Sequence, residues 1–184
     1  MAAHVCPIWV GYFLLSPLRK LLENPDKLFG PFVRPGMTVL EPGCAMGFFT
    51  LPLARMVGPS GRVIAVDIQP RMLEVLNRRA CKAGLEQRIE ARSASEGNLG
   101  IDDLSHCVDF AAACHVVHEI PAPENFFLKV REALKPGGQL LVIEPKGHVS
   151  VEAFNRMALL AEDAGFVRHG DPRDIKKRRL LLTA

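Results

Sequence analysis

Paired cysteines, long apolar runs and a strong charge of one sign are all missing from this sequence. Its five cysteines are scattered and form no C-x-x-C pair, so neither a disulfide framework nor a thiolate zinc site is indicated. The apolar stretch at residues 5–15 is short, lacks a basic lead-in and contains Pro7 and Gly11. These features argue against a signal peptide and a transmembrane helix, and we expect a soluble, cytoplasmic protein.

The charge balance gives no general reason to bind nucleic acid or membranes. Lys and Arg number 23 against 20 Asp and Glu, for a formal net charge of +3. The basic run at residues 176–179 has no interleaved aromatic residues for base stacking. We interpret it as a solvated turn that guards an apolar last strand against edge aggregation, and we expect neither nucleic acid nor membrane as a partner.

What the sequence does contain is the pattern of an α/β domain. Its 184 residues are 48% hydrophobic, which suits one core and is short for two domains. Short runs of Val, Ile and Leu alternate with longer amphipathic stretches, which predicts a doubly wound, Rossmann-like, mostly parallel sheet. The predicted strands are 38–41, 62–66, 88–92, 108–113 and 138–143, and the predicted helices are 48–57, 70–83, 123–134 and 151–164. Strands at 166–169 and 179–183, joined by a turn at Asp171 and Pro172, bring the total to about seven, with the last strand antiparallel.

A glycine turn follows the first predicted strand, in the sequence TVLEPGCAMG at residues 38–47. Ligands of open α/β sheets bind beyond the carboxyl ends of the strands, where backbone N–H groups are free. A dinucleotide site requires G-x-G-x-x-G, but Ala45 and Phe48 occupy the second and third glycine positions and hinder a pyrophosphate. Glu41 at the strand end would repel phosphates, so the turn favours a cationic ligand.

A second acid, Asp67, ends the next predicted strand, twenty positions beyond Gly47. In a Rossmann-type site a carboxylate placed there accepts both ribose hydroxyls. Ile68 and Met72 follow and are suited to sandwich an adenine ring. Glu41 and Asp67 have the alternative interpretation of ordinary acids that cap the next helix, but their placement with the glycine turn favours ligand binding.

At residues 37–147 the sequence resembles the class I S-adenosylmethionine-dependent methyltransferases, particularly the small ones of the ubiquinone/menaquinone-biosynthesis type. The resemblance rests on the glycine turn, Asp67, the VDF segment at 108–110 and the LKPGG turn at 134–138. It implies S-adenosylmethionine as cofactor, a ligand with an ammonium, a sulfonium and no phosphate, and S-adenosylhomocysteine as product. The implied cofactor-binding residues are Glu41, Gly43, Cys44, Ala45, Gly47, Asp67, Ile68, Met72, Ser95, Glu96 and Cys114.

The sequence departs from the family pattern at two places. Ala45 replaces the central glycine of the turn, and we expect it to keep φ below zero, because alanine resists the left-handed region. The family's acid after the third strand, which often contacts the adenine amino group, falls near Ser95 and Glu96. We assign that contact to one of these two residues.

The acceptor side is predicted from the sequence HVVHE at residues 115–119, which follows the fourth strand. Its spacing matches neither H-E-x-x-H nor H-x-x-E-H, so we predict no metal there. We predict instead that His115 and His118 line the substrate pocket, although a purely structural use is the alternative. His118 is the candidate general base and Glu119 the catalytic group that orients it.

The predicted function is methyl transfer to a small-molecule acceptor, by a monomer or homodimer with one domain over residues 1–184. Within it, residues 35–184 form the Rossmann-like core. Residues 1–34, which hold the single Trp and the single Tyr, form a helical lid or packing segment. Two alternatives stay open: a non-catalytic sensor or assembly protein that binds S-adenosylmethionine, and a soft-metalloid, arsenite-like methyltransferase if Cys6, Cys44 and Cys114 converge.

Overall fold

A computed structural model describes residues 23–170 and 173–184 of the chain. Within these residues, strands and helices alternate along most of the sequence. The strands are β1 (Thr38–Pro42), β2 (Arg62–Asp67), β3 (Ile89–Ser93), β4 (Val108–Cys114), β5 (Leu134–Ile143), β6 (Val167–His169) and β7 (Arg179–Thr183). The helices are α1 (Pro25–Phe29), α2 (Thr50–Met56), α3 (Pro70–Ala83), α4 (Pro123–Ala133), α5 (Val151–Asp163) and α6 (Arg173–Lys177). Short 3₁₀ turns lie at Glu86–Arg88, Asp102–Leu104 and Val117–Glu119.

The seven described strands form one sheet in the order β3-β2-β1-β4-β5-β7-β6. Strands β1 to β5 run parallel to one another, whereas β7 runs antiparallel between β5 and β6. The order reverses between β1 and β4, which opens a crevice at the carboxyl ends of these strands. The predicted Rossmann-like fold and its antiparallel last strand are confirmed.

The sheet is buried on both faces because side chains alternate along each strand. Leu40 and Ile64 point to the face covered by α4 and α5. Val39 and Val63 point to the opposite face, which α1, α2 and α3 cover. Two apolar layers therefore hold the central strands rigidly, and the loops at their carboxyl ends are the parts left to form a site.

The helix ends follow from local sequence. The Asn24 side chain caps α1 by accepting the backbone N–H of Asp26 at 3.0 Å, and the Ser150 hydroxyl caps α5 by accepting that of Ala153 at 3.1 Å. Helix α3 ends at Gly84, whose φ of 64° is the left-handed conformation typical of a helix C-terminus.

The structure corrects several sequence expectations, and others concern residues that it does not describe. Helix α6 was not predicted, and β7 is an internal strand, so residues 176–179 do not guard a sheet edge. The LKPGG turn lies within β5, where the register against β4 shifts between Val108 and Phe110. Residues 1–22, with the aromatic segment, and the turn at 171–172 lie outside the described residues.

No helix in the described part of the chain has the length and apolarity needed to span a membrane.

Candidate functional site

The candidate site lies where the strand order reverses, at the carboxyl ends of β1 and β4. Strand β1 leads into the glycine turn at Gly43, and β4 leads into His115. The neighbouring strands β2 and β5 contribute the acids that follow or end them, Asp67 and Glu144. The sheet therefore brings four short segments, far apart in sequence, to one edge.

The glycine turn is held by backbone hydrogen bonds to β2 and has three left-handed residues. The N–H groups of Gly43 and Cys44 donate to the Val66 carbonyl at 2.8 and 3.0 Å. The φ angles of Gly43, Ala45 and Gly47 are 70°, 46° and 80°. The expectation that Ala45 keeps φ below zero is therefore wrong, since this turn repeats the left-handed conformation at every second residue.

Asp67 explains why Ala45 tolerates this conformation. Its Oδ2 accepts the backbone N–H of Ala45 at 2.8 Å, and its Oδ1 accepts that of Gln69 at 2.9 Å. The carboxylate thus ties the glycine turn to the start of α3. Burial raises the pKa of Asp67, while these backbone hydrogen bonds oppose the shift. Each carboxylate oxygen has more than one acceptor site, so the side chain retains capacity for further donors.

The floor of the turn is buried and has a negative potential. The Glu41 and Cys44 residues are each 3% exposed. Burial raises the pKa of the Cys44 thiol well above its usual value, and the charges of Glu41 and Asp67 raise it further. This potential suits a cationic ligand and opposes a thiolate. Cys44 accordingly packs in the core as a thiol.

Two of the three cysteines in the proposed metalloid arrangement, Cys44 and Cys114, lie in the described residues. Cys114, at the end of β4, is also buried, and Cys6 lies outside the described residues. Among residues 23–170 and 173–184, no three His, Cys, Asp or Glu side chains are grouped so that they can hold a metal ion.

The residues predicted around the adenine ring differ in accessibility. Ile68 is 43% exposed, directly after β2, whereas Met72 is 1% exposed and packs with Met46 of the glycine turn. Ser95 and Glu96 are exposed in a tight turn after β3, where Ser95 pairs with Asn98. Ile68 therefore offers an accessible apolar surface, whereas Met72 packs against the buried side of the glycine turn.

The segment after β4 packs directly against the glycine turn. A Cβ atom added to Gly43 would lie 2.4 Å from Cγ2 of Val116, so only glycine leaves room for this side chain. His115 has a φ of 60° and donates its backbone N–H to the Ile143 carbonyl at 2.7 Å. Its ring Nε2 lies 2.6 Å from Oε1 of Glu23, which brings the start of α1 to this edge of the sheet.

His118 is held by a fully buried carboxylate. Its Nδ1 lies 2.5 Å from Oε2 of Glu144, whose side chain is 0% exposed. Oε1 of Glu144 accepts the backbone N–H of Val117 at 2.8 Å and that of His118 at 3.3 Å. The carboxylate in contact with Nδ1 of His118 is therefore Glu144, whereas the sequence predicted Glu119 as the group that orients the imidazole. The hydrogen bond to Glu144 raises the pKa of His118, and the charges of Glu144 and Glu119 add to this.

Sequence reasoning missed Glu144, Glu23 and Val116. Glu144 had a usable signal, because it follows the fifth strand just as Glu41 and Asp67 end the first and second. Glu23 and Val116 had none, since their roles depend on contacts between distant segments.

Comparison with known proteins places the chain in a family. Residues 34–176 match the methyltransferase domain family, and the chain belongs to it. A crystal structure of a SAM-dependent methyltransferase from Aquifex aeolicus is 27% identical, with a TM-score of 0.83 over 98% of both chains. The predicted S-adenosylmethionine-dependent methyltransferase family is thus confirmed.

Curated relatives with named activities are also similar to part of the chain. A ubiquinone/menaquinone biosynthesis C-methyltransferase from Hahella chejuensis is 33% identical over 113 residues, covering 61% of this chain and 44% of that protein. An arsenite methyltransferase from Halobacterium salinarum is 33% identical over 108 residues, covering 59% and 27% respectively. The chain thus spans less than two thirds of the length of these relatives.

Proposed function

We propose that this chain transfers the methyl group of S-adenosylmethionine to a small-molecule acceptor that loses a proton to His118. The observation that carries the proposal is the position of His118. Its segment packs on the glycine turn through Val116, while Glu144 holds its Nδ1. A cofactor bound at the turn and an acceptor beside the imidazole would then share one edge of the sheet.

The negative potential around the turn supports the choice of cofactor. Buried Glu41 and Asp67 lie at the strand ends beside the turn, where the ammonium and ribose of S-adenosylmethionine would bind. Left-handed Gly43, Ala45 and Gly47 allow close approach of the backbone to a ligand. No residue of the turn supplies a positive charge for a phosphate.

Methyl transfer is an in-line displacement at a carbon already activated by the sulfonium. A lone pair of the acceptor attacks the methyl carbon, and the electron pair of the breaking C–S bond stays on sulfur to give S-adenosylhomocysteine. Alignment and exclusion of water supply most of the catalysis. A base contributes when the acceptor is a hydroxyl or an acidic carbon, and Nε2 of His118 takes that proton.

A small acceptor with such a proton agrees with the surface and with the relatives. Lys177 forms an ion pair with Asp174 at 3.0 Å, so one of the four basic residues at 176–179 already has an acidic partner within the chain. The Hahella relative is named a C-methyltransferase, so its methyl acceptor is a carbon atom. We propose that residues 35–184 act as one domain in this reaction.

The test compares His118→Ala with His169→Ala, a matched change at an exposed histidine on β6. Calorimetry should show S-adenosylmethionine binding within about 0.5 kcal/mol of wild type for both variants. Turnover of a panel containing a phenol, a 1,3-diketone and a primary amine should fall about 10²-fold or more in His118→Ala alone.

Three outcomes would contradict the proposal in different ways. Full activity of His118→Ala removes the base, and loss of cofactor binding places this segment against the cofactor instead. Tight cofactor binding by the wild type without turnover of any acceptor favours the sensor or assembly protein.

A further inference from the structure

We propose that Glu144 is a positioning residue that fixes the tautomer of His118, so that Nε2 is the atom that accepts the proton of the methyl acceptor. This inference rests on the proposed function, because it assigns a partner to the general base of that reaction. It adds the residue that follows β5 to a site otherwise built at the ends of β1, β2 and β4.

The hydrogen bonds around Glu144 determine where the imidazole carries its proton. An ionised carboxylate only accepts hydrogen bonds, and Oε1 already accepts the backbone N–H groups of Val117 and His118. Oε2 lies 2.5 Å from Nδ1 of His118, so Nδ1 is the donor. In the neutral imidazole the lone pair is therefore on Nε2, the nitrogen that does not contact Glu144.

The backbone around Glu144 is held from several sides. Its own N–H donates to the Arg178 carbonyl at 2.9 Å. The Arg178 guanidinium in turn donates through Nε to the Val149 carbonyl at 2.8 Å. The Pro145 carbonyl accepts the N–H groups of His148 and Val149, both at 3.0 Å. With its side chain fully buried as well, the carboxylate has little freedom to release Nδ1.

Within the described residues, the titratable groups next to His118 belong to its own turn and to the segment after β5. Glu144 follows β5, Glu119 lies in the same 3₁₀ turn as His118, and the His148 ring stacks edge-on with a centroid distance of 5.9 Å. Partial burial lowers the pKa of His118, but the hydrogen bond to Glu144 and the two carboxylate charges outweigh it and raise the pKa. Base-dependent turnover should therefore rise with pH to a plateau above the usual histidine range.

Glu144 also holds two backbone N–H groups, and the test must separate that structural role from positioning. Glu144→Gln does so, because the amide oxygen can still accept the N–H groups of Val117 and His118. The amide NH₂ replaces Oε2 and donates to Nδ1, which moves the imidazole proton to Nε2. Glu124→Gln is the matched control, since Glu124 is exposed in the first turn of α4.

The first measurement is ¹⁵N NMR of the His118 ring in the full chain with S-adenosylhomocysteine added, titrated with pH. Wild type and Glu124→Gln should carry the neutral-ring proton on Nδ1, with a pKa above the ordinary histidine value. Glu144→Gln should carry it on Nε2, with a lower pKa. A wild-type ring protonated on Nε2 overturns the inference without any variant, even if Glu144→Gln fails to fold.

The second measurement is turnover against pH with whichever acceptor of the panel the wild type methylates. Glu144→Gln should lower kcat by about 10²-fold and leave the KM for S-adenosylmethionine within about twofold. A wild-type pH profile and rate in Glu144→Gln would overturn the positioning role. Failure of the proposed function can be distinguished from failure of this inference. In the first case the wild type has no turnover, whereas the NMR measurement still reports which ring nitrogen of His118 carries the proton.

Discussion

The cofactor side and the acceptor side of the candidate site are held together by the same kind of hydrogen bond. On the cofactor side, Asp67 at the end of β2 accepts the N–H of Ala45 in the turn after β1. On the acceptor side, Glu144 after β5 accepts the N–H of Val117 in the turn after β4. In both, a buried carboxylate from one strand end fixes the loop that follows the neighbouring strand, so the rigid sheet defines the geometry of both loops.

The two sides differ in how far their geometry can be predicted from the sequence. The cofactor turn is contiguous, and its glycines and strand-end acids have a known spacing. The acceptor side depends on a register in which Cys114 pairs with Ile143, and this register places His118 beside Glu144. No spacing rule specifies such a pair, whereas two adjacent parallel strands bring it together directly.

The largest loss of stability should come from a substitution at Gly43, where the cofactor side contacts the acceptor side. Gly43→Ala adds a Cβ that meets Val116 at 2.4 Å in a residue with φ of 70°. Left-handed strain of about 1–2 kcal/mol plus overpacking of about 1–3 kcal/mol should lower the free energy of unfolding by roughly 3 kcal/mol. Urea denaturation measures this loss.

The matched control for that substitution is Gly137→Ala. Gly137 has a similar φ of 78° but no atom within 4 Å of the added Cβ, so only the conformational strain remains. Gly43→Ala combined with Val116→Ala should recover part of the stability. If Gly43→Ala costs no more than Gly137→Ala, the contact between the turn and Val116 is absent in solution.

A somewhat smaller effect is expected on the cofactor side from Asp67→Ala. The change removes the acceptor of two backbone N–H groups and the predicted acceptor of the ribose hydroxyls. Affinity for S-adenosylmethionine should fall by about 1.5–3 kcal/mol, the range for a hydrogen bond to a charged group. Calorimetry checks this against Asp163→Ala, an exposed site at the end of α5; equal affinity in both variants would remove Asp67 from the ribose.

The acceptor side should show its own, weaker signature in the pH dependence of stability. The pKa of His118 is raised in the folded chain, mainly by Glu144. Its contribution is therefore fully present below the unfolded pKa of about 6.5 and is lost as pH rises through the folded value. Urea denaturation between about pH 6 and pH 9 should show wild type losing stability relative to His118→Gln; a parallel pH dependence would mean that the pair is not ionised.

Much of the fold followed from the sequence because its pattern is local. The β1, β2 and β4 strands are short apolar runs, and their observed starts at Thr38, Arg62 and Val108 agree with the prediction. Helix α6 and the place of β7 inside the sheet did not follow. A five-residue helix has too little periodicity to identify, and strand order depends on packing between distant segments.

Ala45 is the residue where sequence and structure disagree most plainly, and it gives the smallest expected effect. Alanine at φ of 46° carries left-handed strain of about 1–2 kcal/mol, while glycine there would lose about 0.5–1 kcal/mol to conformational entropy. Ala45→Gly should therefore raise the free energy of unfolding by about 0.5–1 kcal/mol in urea denaturation. Ala80→Gly, at a buried position within α3, provides the opposite control and should lower it by about 1 kcal/mol or more. A loss of stability in Ala45→Gly would show that Ala45 carries no left-handed strain in the wild type. Its φ in solution would then be negative, in contradiction to the structure.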